Sequence, residues 1–315
     1  MTDIFLSYEV SIHLFIQLII FFLLSISFYF SIIILKNYQI GASSSIQYSL
    51  EKKSYLILTI IQLSLITKIF LLAFFTFTID SLSTIIPGAM CAAGVINSNQ
   101  FGVPLILLKI STIILIMLWL VLNNQDLKTK GFIYFKSKLR FFLLIYSLLF
   151  AELIIELFYF SSLTTTNPVY CCSNLYKETQ ENSSLFLDTL SLLISFYTTY
   201  VLIMIAAFTK SRYLLSILAI IFLYLSYLAI VYFFSAYIYE LPTHKCPYCL
   251  LKGEYHYIGY FIYGSLILAS FYALSASIYK FHISTFKNSI LWYTLFVLIL
   301  SMQFILYIIT NKTFL

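Results

Sequence analysis

The residues best suited to chemistry are five cysteines, two of which form a Cys-Pro-Tyr-Cys motif at positions 246–249. Two cysteines at this spacing can close a small disulfide, and the proline between them restricts the backbone and keeps the sulfurs near each other. His244 and Lys245 precede the motif, and a positive neighbour or a helical turn starting at Cys246 favours the reactive thiolate. We therefore predict Cys246 as the attacking thiol and Cys249 as its resolving partner.

The other three cysteines are Cys91 and the adjacent pair Cys171 and Cys172. Neighbouring cysteines seldom bond to each other, because their geometry departs from the usual disulfide separation of about 5–6 Å between Cα atoms. One or both of the pair should reach another cysteine or a soft metal. A structural disulfide from Cys91 to this pair is one interpretation. Cys91 itself lies in a small, apolar connection that either dips into the membrane or caps the helix ends.

The composition indicates how these cysteines are positioned. The chain is 62% hydrophobic and only 10% charged, whereas soluble domains carry about 25% charged residues. A water-soluble fold is therefore excluded, and we predict a single all-α integral-membrane domain over residues 1–315. A transmembrane helix needs about 20 apolar residues, and eight stretches qualify: 10–36, 54–79, 104–123, 139–163, 185–209, 213–238, 257–279 and 289–311.

The basic residues predict the orientation. Short cytoplasmic loops carry an excess of lysine and arginine. Twelve basic residues fall in the first, third, fifth and seventh connections, namely Lys36, Lys52, Lys53, Lys128, Lys130, Lys136, Lys138, Arg140, Lys210, Arg212, Lys280 and Lys287. The opposite side has four, namely Lys177, Lys245, Lys252 and Lys312. Both termini and all five cysteines should then face outward, on the extracytoplasmic side of a plasma (inner) membrane. Because the basic residues set topology, the net charge of +6 does not indicate nucleic-acid binding.

Four charged residues lie more than one helical turn inside the ends of predicted spans, where each costs about 3 kcal/mol and needs a partner. Counting 1.5 Å per residue, Lys68 and Glu152 both fall near the midplane, and Lys109 and Glu156 both fall about 6–7 Å further out. The depths predict the ion pairs Lys68–Glu152 and Lys109–Glu156. These pairs either hold the spans together or form a proton route or polar ligand site. His13 is predicted to be an ordinary interfacial residue.

Metal binding is an alternative interpretation of the outward face. Cys246 and Cys249, together with His244, His256 and Met90, form a set of soft ligands suited to Cu(I) or Zn(II). A second Cys-x-x-Cys or a His-x₃-His would strengthen this interpretation, and the sequence has neither.

The tetrapeptide at 246–249 is identical to that of the glutaredoxin active site, but no thioredoxin-like βαβ pattern surrounds it. The layout resembles the quinone-linked membrane oxidoreductases of the DsbB and vitamin K epoxide reductase type. This resemblance implies that Cys246 and Cys249 pass electrons to a quinone, and that Cys91 with Cys171 or Cys172 shuttles them from a soluble thioredoxin-like partner. Those families have a four-helix core, whereas this chain has eight predicted spans.

Three functions follow as hypotheses. The first is thiol–disulfide redox chemistry at the outer face, with a quinone as the candidate electron acceptor. The second is capture or transfer of a soft metal such as copper, with a metallochaperone as partner. The third is an accessory membrane subunit whose cysteines form structural disulfides.

Overall fold

The computed structural model describes residues 2–38, 45–89, 91–128, 134–164, 169, 189–242, 244–278 and 283–312. Regular structure in these residues is entirely helical, and eight of their helices are long and apolar enough to cross a membrane. The predicted all-α architecture with eight spans is confirmed. The chain is thus an integral, multi-pass membrane protein whose environment is a lipid bilayer.

The α-helices are labelled in chain order. They are α1 (Thr2–Leu6), α2 (Tyr8–Asn37), α3 (Ser45–Leu82), α4 (Ala92–Ile96), α5 (Gly102–Lys128), α6 (Phe135–Ser162), α7 (Thr189–Phe208), α8 (Arg212–Tyr239), α9 (Ile258–Ile278) and α10 (Ile283–Asn311). Helices satisfy their backbone hydrogen bonds internally, which a lipid environment requires. Each of the eight spans exposes large apolar side chains, such as Phe22, Phe70 and Leu298, that are suited to contact with lipid.

Unit 1, one of two compact units, comprises Met1–Pro87 and Val95–Pro168. It contains four spans, in which α2 packs against α3 and α6, and α5 packs against α6 and α3. The indole of Trp119 is fully buried and donates a hydrogen bond to the Lys138 carbonyl at 2.9 Å. Aliphatic and aromatic side chains fill the centre, including Ile61, Leu65, Ile116, Leu139, Phe142 and Ile145.

Unit 2 comprises Gly88–Gly94 and Val169–Leu315 and contains α7 to α10. Its core is aromatic: the Phe222 ring stacks on Phe196 at 5.1 Å between centroids and meets Tyr293 edge-on at 5.3 Å. Three fully buried alanines on α9, Ala269, Ala273 and Ala276, share one face at spacings of four and three residues. Small residues allow close helix packing in membranes, and α9 packs against both α8 and α10.

The end of α8 leads the chain into the cysteine motif. One π-helical turn, Ile230–Phe234, interrupts α8, and such turns change which side chains face inward. The helix ends at Tyr239, where Glu240 takes a left-handed conformation with φ of 57°. The connection that follows contains two short 3₁₀ turns, Cys249–Leu251 and Gly253–Tyr255, before α9 begins.

Candidate functional site

Three cysteine sulfurs converge inside unit 2. The Sγ atoms of Cys91, Cys246 and Cys249 all lie within 4.8 Å of one another, and those of Cys91 and Cys246 are 3.4 Å apart. This last distance is a contact, since a disulfide bond measures about 2.05 Å. The exposed fractions of the three residues are 2%, 0% and 7%. The cluster is therefore a buried three-thiol site.

Two connections supply these thiols. Cys91 directly precedes the short helix α4, and every residue from Cys91 to Ile96 is buried. This apolar stretch is thus a packed element, which leaves the Cys91 thiol directed into the core of unit 2. Cys246 and Cys249 come from the connection between α8 and α9. The helical turn here begins at Cys249 and spans three residues, so the turn that would have favoured a thiolate at Cys246 does not start there.

Tyrosine hydroxyls hold the backbone of the motif. Tyr239, at the end of α8, donates a hydrogen bond to the Cys246 carbonyl, and Tyr263, on α9, donates to the Pro247 carbonyl at 2.7 Å. Both buried carbonyls thereby gain partners, and buried carbonyls without partners are costly. The motif is fixed to the two spans that flank it.

A close backbone contact adds to this fixation. A Cβ atom added to Gly259, in the first turn of α9, would lie 2.8 Å from the carbonyl carbon and oxygen of Leu250. Glycine at this position therefore allows α9 to approach the chain segment immediately after Cys249.

The basic neighbours of the motif lie in aromatic surroundings. The His244 ring meets Tyr239 edge-on at 4.3 Å, and the Lys245 ammonium lies 5.5 Å from the centre of the Tyr232 ring. Burial lowers the pKa of His244 below its ordinary value of 6.5, although nearby Cys91 as a thiolate would raise it. Burial also lowers the pKa of Lys245. Because burial disfavours the cationic form of both groups, they are weaker activators of Cys246 than their sequence position suggests.

The remaining predicted ligands differ in their placement. Among the described residues, the group of ligand atoms within 4.8 Å of one another consists of the three cysteine sulfurs and contains neither His244 nor His256. His256 is exposed. Met90, Cys171 and Cys172 lie outside the described residues.

The three-thiol geometry is compatible with two kinds of chemistry. Cys246 can form a disulfide with either of its neighbours, and such bonds exchange by thiolate attack. Three thiolates can also bind one soft ion, since metal–sulfur bonds of about 2.3 Å place the sulfurs about 3.8–4 Å apart. The sequence predicted the 246–249 pair but not the contact of Cys91 with it.

A second buried polar site lies in unit 1. The Nζ atom of Lys68 lies 2.8 Å from Glu152 Oε1, and the Nζ atom of Lys109 lies 3.0 Å from Glu156 Oε1. The structure thus brings together both pairs that the depths predicted. Lys109 Nζ also lies 2.8 Å from Glu152 Oε1. The four residues therefore form one network.

Three further residues complete this charge cluster, which we define as His13, Gln17, Lys68, Lys109, Thr112, Glu152 and Glu156. His13 Nε2 contacts Glu156 Oε1 at 2.7 Å, Lys68 donates to Gln17 Oε1 at 2.6 Å, and Thr112 donates to Glu152 Oε2 at 3.1 Å. His13 is fully buried, so its predicted interfacial position is wrong. It lies four residues before Gln17 on one face of α2, and this shared face was a signal in the sequence.

Sequence reasoning also missed an ion pair at the ends of α5 and α6. Lys138 Nζ lies 2.6 Å from Asp126 Oδ2, and both side chains are buried. Lys138 also donates to Asn123 Oδ1 at 3.2 Å. A cavity of about 110 Å³ adjoins this pair and is lined in part by Tyr38, Glu51 and Gln62.

The two candidate sites, the three-thiol site and the charge cluster, belong to different units of the chain. Each can be interpreted from the chemistry of its own side chains. Comparisons of the chain with protein-family models, with curated proteins and with solved structures give no match.

Proposed function

We propose that unit 2 carries a thiol–disulfide redox centre made of Cys91, Cys246 and Cys249. The observation that supports it most directly is the convergence of three buried sulfurs within 4.8 Å. A single disulfide would require only two of them. The third thiol gives the centre a way to pass a disulfide on, because thiolate attack on a neighbouring disulfide needs contact between the sulfurs.

The central step is an exchange with no net change in electrons. The Cys91 thiolate attacks the Cys246 sulfur of a Cys246–Cys249 disulfide, the Cys91–Cys246 bond forms, and Cys249 leaves as a thiolate that takes up a proton. The Sγ–Sγ distance of 3.4 Å between Cys91 and Cys246 supports a reaction between these two sulfurs. Cys246 is the shared sulfur in both bonded forms.

Net turnover requires a donor and an acceptor. Oxidation of Cys246 and Cys249 to a disulfide releases two electrons and two protons, and a membrane quinone takes up both to become a quinol. The resemblance to quinone-linked oxidoreductases suggests this class of acceptor. Cys91, paired in turn with Cys171 or Cys172, would then exchange with the cysteines of a soluble thioredoxin-like partner.

The orientation of the chain belongs to the same proposal. We place both termini and the cysteine connections outside a plasma (inner) membrane, because twelve basic residues mark the other face and four mark this one. A periplasmic or extracellular location permits disulfides. A phosphatase reporter, which is active only outside, should be active when fused after Leu315 and inactive within 129–133. The reverse pattern contradicts the orientation.

A redox titration of the full chain with thiol counting tests the function. Two thiols should disappear together at a potential above about −300 mV, as expected of reactive pairs and unlike inert structural bridges. In Cys171→Ser the thiols of Cys246 and Cys249 should still disappear together, and in Cys246→Ser this coupled loss should be absent. Disulfides that resist mild reductants would contradict the redox proposal and would support the accessory-subunit hypothesis.

Soft-metal binding is the second candidate, because three thiolates at these separations can ligate one Cu(I) or Zn(II) ion. His244 Nε2 is buried and has no hydrogen-bond partner among the described residues, so it is the nearby nitrogen suited to a fourth ligand. Metal analysis of the purified protein distinguishes the candidates. One tightly held ion per chain, lost in Cys249→Ser but retained in His256→Asn, would favour metal binding.

A further inference from the structure

The charge cluster of unit 1 is balanced without its histidine. Two ammonium groups, Lys68 and Lys109, face two carboxylates, Glu152 and Glu156, so the four charges sum to zero. Lys109 bonds to both carboxylates and also lies 4.3 Å from the centre of the Phe75 ring. Four spans are already tied together by these contacts and the bond from Lys68 to Gln17. His13 is not needed to neutralise any of them.

His13 nevertheless adds a polar group at a cost. Its exposed fraction is 0%, and its ring is surrounded by Phe74, Phe75 and Phe160 at centroid distances of 5.3–6.5 Å. A phenyl ring would suit these neighbours. When Nε2 donates to Glu156, the other ring nitrogen is an acceptor, and Nδ1 has no hydrogen-bond partner among the described residues. A buried acceptor without a partner lowers stability.

Glu156 likewise has a buried acceptor atom without a hydrogen-bond partner among the described residues. Its Oε1 atom receives both His13 and Lys109, while Oε2 is buried and has no partner among the described residues. By contrast, both oxygens of Glu152 are bonded, Oε1 to the two lysines and Oε2 to Thr112. Within the cluster, the two acceptors that remain open thus belong to residues already in contact with each other.

We propose that His13 and Glu156 form a proton-binding site inside the membrane bundle of unit 1. The ligand is one proton, which enters at His13 Nδ1 or at Glu156 Oε2. In the first case an imidazolium–carboxylate pair forms, and in the second a neutral carboxylic acid forms beside a neutral imidazole. The two residues share a hydrogen bond and therefore titrate as one unit.

The surrounding charges act on an added proton in opposite directions. Lys68 on α3 and Lys109 on α5 oppose an added proton, whereas Glu152 and Glu156 on α6 favour it, and Gln17 on α2 is neutral. A cavity of about 10 Å³ between Lys68, Lys109 and Glu152 is the size that one water molecule needs. Ionisable residues within membrane spans commonly mark proton pathways, and this cluster supplies both a binding pair and room for a water molecule beside it.

Histidine NMR on the full chain in lipid nanodiscs, combined with infrared detection of protonated carboxyl groups, tests the proposal. We expect one titration step that is absent in His13→Phe, which keeps the aromatic packing and removes both nitrogens. Glu156→Gln should displace or abolish this step. His13→Gln provides a second assignment variant should the phenylalanine variant not fold.

His256→Asn is the matched control, because His256 is an exposed histidine outside the cluster and its loss should leave the step unchanged. The proposal is overturned if the wild-type protein shows neither a change at His13 nor a carboxyl band that depends on Glu156 at any pH at which it stays folded. This outcome would leave the thiol proposal unaffected. The thiol proposal is contradicted by a different result, the failure of the redox titration.

Discussion

Cys91 Sγ lies 3.4 Å from Cys246 Sγ, although the two residues are 155 positions apart in the sequence. Cys246 therefore has two neighbouring thiols with which it can bond, one from its own motif and one from the connection that precedes α5. A motif read as a self-contained pair is in fact part of a three-thiol site. This relationship makes the choice of disulfide partner open to experiment.

The first prediction concerns that choice. In Cys249→Ser, mild oxidation should link Cys91 to Cys246, whose sulfurs are 3.4 Å apart. In Cys91→Ser it should link Cys246 to Cys249, whose sulfurs lie within 4.8 Å. Cys246→Ser should prevent both bonds, since it removes the shared sulfur. Non-reducing digestion and mass spectrometry identify the linked peptides. Recovery of Cys91 as an unlinked thiol from oxidised Cys249→Ser would contradict the arrangement.

The second prediction tests the close approach of α9 to the motif. Gly259→Ala places a Cβ atom 2.8 Å from the backbone of Leu250, so the loop must shift, at a cost of about 1–3 kcal/mol in the free energy of unfolding. Formation of the Cys91–Cys246 bond should slow, because the sulfurs move apart.

Gly264→Ala is the matched control for this substitution. It lies in the same helix, and a Cβ atom there meets no atom within 4 Å. Thermal unfolding and the rate of disulfide formation should match those of the wild type. Equal effects of the two substitutions would show that the contact with Leu250 is unimportant.

The third prediction concerns how the stability of the loop at residues 244–258 depends on pH. Burial lowers the pKa of His244 below 6.5, so the opened loop binds a proton more readily than the closed loop. Neutral His244 therefore contributes its full share to the stability of the closed loop above about pH 6.5. This share is lost as the pH falls through the lowered pKa of His244. Hydrogen exchange of residues 244–258, corrected for intrinsic rates, should increase over this range.

His244→Gln should remove this pH dependence, whereas His256→Gln should retain it, because His256 is an exposed residue of the same connection. If the pH dependence is unchanged in His244→Gln, another group controls the loop.

Sequence alone predicted the spans and the depths of the charges, because both follow from distance along a helix. Counting residues along the helices placed Lys109 and Glu156 at the same depth, and the structure shows them in contact. It did not predict that Lys109 also contacts Glu152, since depth does not specify the direction in which a side chain points. His13 was missed for a related reason: its spacing of four residues from Gln17 places both on one face of α2, but this spacing does not identify Glu156 on α6 as its partner.

The contact of Cys91 with the motif was beyond sequence reasoning for a different reason. Short connections of one chain can meet at the same membrane face in many combinations, and cysteine spacing does not determine which of them meet. The buried stretch Cys91–Ile96 is small and apolar, which indicated packing but did not identify its neighbours. In the structure, Cys91 and Ala93 of this stretch belong to the hydrophobic core of unit 2, which also contains Cys246.

The last prediction compares the two buried lysines. Lys109→Met leaves Glu156 with His13 as its remaining bonded partner in the described cluster, whereas Lys68→Met leaves Glu152 bonded to Lys109. Loss of one member of a buried pair costs ~3–5 kcal/mol, so Lys109→Met should reach this range and Lys68→Met should cost less. Unfolding in mixed micelles, followed by near-UV circular dichroism, measures both.

A double substitution separates pairing from packing at Lys109. Lys109→Met combined with Glu156→Gln leaves Lys68 and Glu152 as a neutral pair, so the loss should be smaller than the sum of the two single losses. Exchanging the residues, as Lys109→Glu with Glu156→Lys, should restore little, because the new carboxylate would face Glu152 in place of the lysine that now bonds to it at 2.8 Å. Strictly additive losses in the double variant would mean that Lys109 and Glu156 do not interact, whatever their separation of 3.0 Å.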